Sequence, residues 1–103
     1  MIVTRNTAFK APNGYKVVYS PEEAIQYLGS QDIETMFLIG GGTLNSEFMK
    51  KNLIDELQLT IVPHLIGTGR PVFARNEFEK KLMLVKAKQL VDGRVELQYL
   101  VQK

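Results

Sequence analysis

Several residue types that anchor common functional sites are missing or nearly missing from this chain. It has no cysteine, so it can form neither a disulfide framework nor a cysteine-ligated metal site. His64 is the only histidine, which excludes a cluster of several histidines around a metal ion. No apolar run is long enough to span a bilayer, and the first residues lack the apolar core of a signal peptide. We therefore expect a cytoplasmic protein without a metal site and without a membrane partner.

The chain also lacks a strong excess of charge. The formal net charge is +2, which is too small to indicate a nucleic-acid partner. Apolar residues make up 45% of the 103 residues, an ordinary share for a globular protein with a core of its own. This length suits a single domain over residues 1–103 and leaves little room for a second one.

Glycine is concentrated at one informative place. Met36 to Ile39 form a short apolar run that predicts a buried strand, and three glycines at 40–42 follow it directly, before a helix-like segment. Such a turn presents bare N–H groups at a positive helix end, which suits a phosphate or pyrophosphate. The alternative is a tight turn without a ligand. The motif is neither a Rossmann fingerprint, since Asn45 stands where a third glycine belongs, nor a P-loop.

Strand and helix signals alternate along the first half of the chain. Ile2–Val3 and residues 15–19 are β-rich runs. Ser20 is a candidate helix N-cap, with Pro21 at the first helical position and Glu23 completing a capping box. Strands separated by helices favour parallel pairing.

The last part of the chain changes character. Residues 57–62 predict a further strand. Asp92-Gly93 separates two β-rich runs at 82–90 and 95–101, which is a hairpin signal. Parallel pairing early in the chain and an antiparallel hairpin at its end predict an α/β fold with a mixed sheet flanked by helices.

Three blocks of sequence carry a family likeness, at residues 2–6, 37–44 and 53–63. The loop at 67–73 and the terminal hairpin continue it, so it covers nearly the whole chain. Together these blocks resemble the dihydrofolate-reductase-like family, in particular the branch that contains the riboflavin-biosynthesis reductase domain. The resemblance implies a cytoplasmic oxidoreductase that transfers a hydride from NADPH to a pterin-like or riboflavin-pathway pyrimidine substrate.

The resemblance also implies where the small-molecule ligands bind, although it identifies no catalytic residue. The cofactor-binding residues that it implies are Thr4, Arg5, Asn6, Ile39, Gly40, Gly41, Gly42, Thr43 and Leu44. Arg5 and its neighbours would hold the adenosine end with its 2′-phosphate, and the glycines and Thr43 would face the pyrophosphate. Thr60 would border the substrate. The alternatives are an exposed charge for Arg5 and an ordinary strand residue for Thr60. Family members also have a cis peptide bond, which here would join Gly40 to Gly41.

The family domain begins with further strands and helices that precede the first strand of this chain. These include two interior strands of the sheet and part of the nicotinamide and substrate pockets. We therefore expect the C-terminal portion of such a domain, as a single and truncated domain that is either an NADPH-dependent reductase or its cofactor-binding portion. The alternative is a non-catalytic module that assembles with copies of itself. Open strand edges and apolar faces favour a homo-oligomer in either case.

Overall fold

A computed structural model describes residues 1–103, and the first half of the chain forms a small parallel sheet with two helices. Strand β1 (Ile2–Val3) pairs in parallel with β2 (Val17–Val18). Helix α1 (Pro21–Ser30) follows β2, and helix α2 (Gly42–Lys50) follows after an extended connection. The predicted parallel pairing of the early strands is therefore confirmed.

The second half forms a separate antiparallel sheet. Its strands are β3 (Glu56–Ile61), β4 (Leu82–Gln89) and β5 (Val95–Val101), and β5 lies between the other two. The predicted hairpin is confirmed, because β4 and β5 are joined through a turn in which Asp92 and Gly93 have φ angles of 65° and 75°. Aspartate and glycine tolerate this left-handed conformation. Parallel and antiparallel pairing both occur, as predicted, but in two sheets rather than one.

The start of α1 follows the predicted capping pattern. The Ser20 hydroxyl accepts a hydrogen bond from the backbone N–H of Glu23 at 3.1 Å, and the Glu23 carboxylate accepts one from the N–H of Tyr19 at 2.8 Å. Pro21 occupies the first helical position, where its missing N–H costs nothing. These local contacts fix the N-terminal end of α1 next to the end of β2.

The prediction of a third strand at residues 36–39 is wrong. These residues make no backbone–backbone hydrogen bond, although their burial alternates as in a strand. Met36 and Leu38 pack against the core, whereas Phe37 and Ile39 are 78% and 93% exposed. A strand needs a neighbour to hydrogen-bond with, and no part of the chain lies alongside this segment as a paired strand.

The buried core is small, and its main cluster lies in the first half, whereas the second half contributes only Val101 at the end of β5. Val18, Ala24 and Phe48 form its centre, between β2 and the two helices. No residue of β3 or β4 is buried, and every residue of β4 is exposed. Because so few residues of β3 and β4 are covered, the antiparallel sheet exposes large apolar surfaces.

Neither helix is long and apolar enough to cross a membrane.

Candidate functional site

The glycine turn at residues 40–42 leaves the first backbone N–H groups of α2 without hydrogen-bond partners. Gly41 is the N-cap residue, with φ 50° and ψ 151°, and no side chain caps the helix. The first helical hydrogen bond runs from the N–H of Asn45 to the carbonyl of Gly41 at 3.0 Å. The N–H groups of residues 42–44 donate to no group of the chain. They are therefore available to a negatively charged ligand at the positive helix end.

Gly42 has a packing role that the sequence did not indicate. A Cβ on this residue would lie 2.7 Å from the carbonyl oxygen of Pro71. The N–H of Ala74 donates to the Gly42 carbonyl at 3.0 Å, and the Ser46 hydroxyl donates to the Ala74 carbonyl at 2.6 Å. The segment at residues 71–74 is thus clamped on the first turn of α2, and only glycine permits this approach.

A groove of about 380 Å³ opens between the N-terminal ends of α1 and α2, and we call it the interhelix groove. Its lining residues come from β1, from the starts of both helices and from the end of α2: Val3, Thr4, Arg5, Tyr19, Ser20, Pro21, Thr43, Leu44, Glu47 and Lys51. The fold thereby brings Thr4 and Arg5 together with Thr43 and Leu44. These are four of the nine residues predicted to bind the cofactor.

Two cations at the interhelix groove already have carboxylate partners. Arg5 Nη2 lies 3.3 Å from Glu47 Oε1, and Lys51 Nζ lies 2.7 Å from Glu22 Oε1. The hydrogen bond from Lys51 lowers the pKa of Glu22 below its usual value. The Arg5 side chain is 77% exposed, and a guanidinium has five N–H donors. Arg5 can therefore bind a phosphate from the groove, but in competition with Glu47.

The remaining predicted residues lie outside this groove. Asn6 stabilises the turn after β1, because its side-chain oxygen accepts a hydrogen bond from the N–H of Ala8 at 3.0 Å. Ile39 points into a second groove described below. Thr60 is exposed on β3, in register with Glu96 of β5. Gly40 has open space where a Cβ would be.

All peptide bonds are trans, so the expected cis bond between Gly40 and Gly41 is not found. A cis bond outside proline costs about 2.5–4 kcal/mol and persists only where its surroundings hold it. Neither glycine has such surroundings, since nothing lies within 4 Å of the Cβ position of either one.

Sequence reasoning missed Glu47 and Lys51 as parts of the site. Glu47 follows Thr43 by four residues on α2, which puts both on one face of that helix. This spacing could have identified Glu47 as a neighbour of the phosphate-binding turn. Lys51 lies one further turn along the same face, at the C-cap of α2. No spacing rule relates either residue to Arg5, because that contact depends on tertiary packing.

A second and larger groove, of about 900 Å³, lies on the other side of α2, and we call it the apolar groove. Fourteen of its 21 lining residues are hydrophobic. Residues 36–39 and residues 56–59 of β3 are among its lining. The amide of Asn45 also faces this groove, and its oxygen is buried without a hydrogen-bond partner.

Comparison with known proteins connects this architecture to one family. Residues 1–95 match the RibD C-terminal domain. The chain belongs to that family. Among curated proteins, it is 38% identical over 64 residues to the uncharacterized protein YwjB of Bacillus subtilis (strain 168), covering 62% of this chain and 36% of YwjB. It is 29% identical over 77 residues to YyaP of the same organism, covering 75% of this chain and 41% of YyaP.

Solved structures of similar proteins share the fold. A Shewanella sp. PV-4 protein named for riboflavin biosynthesis superposes with a TM-score of 0.82 at 26% identity, over 98% of this chain and 59% of its own. A pyrimidine reductase-like protein of Corynebacterium diphtheriae superposes with a TM-score of 0.77 at 22% identity, over 87% of this chain and 40% of its own. Acinetobacter baumannii RibD superposes with a TM-score of 0.64 at 26% identity, over 84% of this chain and 26% of its own. The predicted dihydrofolate-reductase-like α/β fold is confirmed. The chain spans less than two thirds of the length of each of these relatives.

Proposed function

We propose that this chain binds NADPH through the interhelix groove, as the cofactor-binding part of a reductase in riboflavin biosynthesis. The observation that carries the proposal is the meeting of Arg5 and Thr4 with the unpartnered N-terminal end of α2. The names of the Shewanella and Corynebacterium relatives support a pyrimidine of that pathway as the substrate class. A pterin-like substrate is the alternative, and Thr60 stays the residue predicted to border it.

The residues of the groove fit the phosphate groups of this cofactor. The N–H groups of residues 42–44 would donate to the pyrophosphate, where the helix dipole favours negative charge. Arg5 would hold the 2′-phosphate, because a planar guanidinium matches phosphate geometry. Lys51 adds a second positive charge to the same groove. When bound, NADPH supplies the hydride, and the protein positions it.

The proposal is tested by calorimetric titration with NADPH and with NADH, which lacks the 2′-phosphate. Arg5→Ala should weaken NADPH binding by about tenfold, which corresponds to about 1.4 kcal/mol for one charged hydrogen-bonded contact near solvent. The same variant should leave NADH binding unchanged. Binding should also weaken with added salt, since the site is exposed.

Arg94→Ala is the matched control, because Arg94 lies in the β4–β5 turn, away from the groove. Since the chain spans only part of its relatives, we expect residues 1–103 to bind NADPH without measurable turnover in an absorbance assay. Equal affinity for the two cofactors, or binding of neither, would contradict the proposal.

A second candidate function is self-assembly without catalysis. It is favoured by the exposure of large apolar side chains, among them Leu65 at 99% and Leu84 at 55%. Exposed apolar patches of this kind drive association. A homo-oligomer should therefore be seen by light scattering at micromolar concentration, and a stable monomer would count against this candidate.

A further inference from the structure

Glu47 lines the interhelix groove beside Arg5, and its two carboxylate oxygens differ in their contacts. Oε1 lies 3.3 Å from Arg5 Nη2 and also accepts a hydrogen bond from Asn76 Nδ2 at 3.3 Å. Oε2 has no hydrogen-bond partner in the chain. It is not buried either, because the Asn45 side-chain oxygen is the only buried side-chain oxygen or nitrogen without a partner. Glu47 therefore has one free and accessible acceptor oxygen at the groove.

Glu47 is held in position, whereas Arg5 is mostly exposed to solvent. The Glu47 side chain is 25% exposed, compared with 77% for Arg5. The Oδ1 atom of Asn76 accepts a hydrogen bond from the N–H of Glu77 at 2.8 Å, which directs the NH2 group of Asn76 toward Glu47. A phosphate that draws Arg5 away would therefore leave the Glu47 carboxylate bonded to Asn76.

The cation and the carboxylate suit the two nicotinamide cofactors differently. NADPH carries a phosphate on the 2′ oxygen of its adenosine ribose, whereas NADH carries a hydroxyl there. A guanidinium suits the phosphate, and a carboxylate accepts a hydrogen bond from the hydroxyl. A carboxylate also repels a phosphate by its like charge. Because Arg5 and Glu47 are only 3.3 Å apart, a 2′ group at Arg5 is within reach of Glu47.

We propose that Glu47 is a specificity-determining residue whose Oε2 atom accepts a hydrogen bond from the 2′-hydroxyl of the adenosine ribose. The interhelix groove then binds NADH as well as NADPH, with Glu47 favouring the hydroxyl and Arg5 favouring the phosphate. The preference for NADPH is therefore smaller than Arg5 alone would give. This inference rests on the proposed function, because it requires the adenosine end of the cofactor to lie in the interhelix groove.

The wild-type chain tests this contact without any substitution. The probes are NADH and two analogues that lack either the 2′- or the 3′-hydroxyl of the adenosine ribose, each titrated by calorimetry. The 2′-deoxy analogue should bind about fivefold more weakly than NADH, because it loses a hydrogen bond to a charged group. The 3′-deoxy analogue should bind as NADH does. Equal binding of NADH and the 2′-deoxy analogue would overturn the proposal.

Glu47→Gln tests the residue through the sign of its effect on each cofactor. Arg5 and Asn76 both donate to the Oε1 position, so a glutamine would place its amide oxygen there and its NH2 group at the Oε2 position. NADH binding should weaken by about fivefold, because the charged acceptor is lost, whereas NADPH binding should tighten. A purely structural role would change both affinities in the same direction. Unchanged or tighter NADH binding would overturn the proposal.

Glu22→Gln is the matched control for Glu47→Gln. Glu22 also pairs with a cation of the groove, since its Oε1 atom lies 2.7 Å from Lys51 Nζ. Glu22 itself does not line the groove. Its replacement releases a cation without removing an acceptor, so it should not weaken NADH binding. If both variants weaken NADH binding equally, the effect does not come from a carboxylate in the groove, and the proposal is overturned.

The outcomes distinguish this inference from the proposed function. If NADPH binds and its binding depends on Arg5, while NADH binding is absent or insensitive to the 2′-hydroxyl, the proposed function stands and the role of Glu47 is refuted. If neither cofactor binds, both are refuted. The deoxy analogues decide the role of Glu47 even if circular dichroism shows that Glu47→Gln does not fold.

Discussion

Replacing Gly42 by alanine should destabilise the fold, although alanine is the better helix former. The new Cβ would lie 2.7 Å from the Pro71 carbonyl oxygen and 3.1 Å from the Ala74 nitrogen. Both are backbone atoms that cannot rotate away, and such overpacking costs about 1–3 kcal/mol. Alanine regains roughly 1 kcal/mol through its helix propensity. The net loss should be up to about 2 kcal/mol, which lowers the melting temperature by up to roughly 15 °C.

The neighbouring glycines provide internal controls with different expected outcomes. Gly41→Ala forces alanine into φ 50° and ψ 151°, a region that costs an L-residue roughly 1–3 kcal/mol. Its Cβ meets no other atom, so the destabilisation comes from backbone strain alone. Gly40→Ala should be nearly neutral for stability, because Gly40 has open space and no positive φ. Weaker NADPH binding by this variant would identify Gly40 as a position where the cofactor approaches the backbone.

Thermal and urea unfolding followed by circular dichroism measures the three stabilities, and the titration described above measures binding. The stability of the Gly42 variant should fall by more than that of the Gly40 variant. If Gly42→Ala unfolds at the wild-type temperature, the contact with residues 71–74 does not restrict this position. If Gly40→Ala is the least stable of the three, the assignment of the three glycines to different roles is wrong.

Three smaller effects test individual contacts. Glu47→Gln should tighten NADPH binding by up to about fivefold in the titration, because it frees Arg5 from an exposed ion pair of roughly 0.2–1 kcal/mol. The hydrogen bond from Lys51 is the main cause of the lowered pKa of Glu22. A carboxyl group whose pKa is lower in the folded state stabilises the fold at any pH above its ordinary pKa, and this stabilisation is lost as the pH falls through the pKa of the folded state. Lys51→Met should therefore reduce the loss of stability on acidification, measured by urea unfolding at about pH 6 and about pH 3. Ser20→Ala should cost about 1 kcal/mol, seen as a lower urea midpoint, because it removes the α1 cap.

The features that the sequence predicted correctly depend on short stretches of chain. The α1 start follows from Ser20, Pro21 and Glu23, whose contacts span four residues at most. The hairpin turn follows from Asp92-Gly93, since few residues adopt two consecutive positive φ angles. Within the candidate site, the helix start after the glycines was predicted for the same reason. Such interactions are determined locally, so one sequence is enough to identify them.

The strand predicted at residues 36–39 failed because strand formation is not a local property. Its apolar residues have the right alternation, and Met36 and Leu38 do pack inward. The hydrogen bonds of a strand come from neighbours that can be distant in sequence, and none is present in residues 1–103. The same limit applies to the site, since the ion pair of Arg5 with Glu47 joins residues that no local pattern relates.

The three consecutive glycines illustrate how one motif can serve both stability and binding. At the level of sequence, the three glycines were treated as one unit, which either leaves room for a ligand because a Cβ is absent or forms a tight turn without a ligand. In the structure, Gly42 contacts residues 71–74, Gly41 adopts the left-handed turn, and Gly40 is open. A phosphate at the N-terminal end of α2 can therefore accept a hydrogen bond from the N–H of Gly42, while the Gly42 carbonyl still accepts one from the N–H of Ala74. Cofactor binding at this turn should consequently stabilise the loop that precedes β4, which couples the glycine turn to the antiparallel sheet.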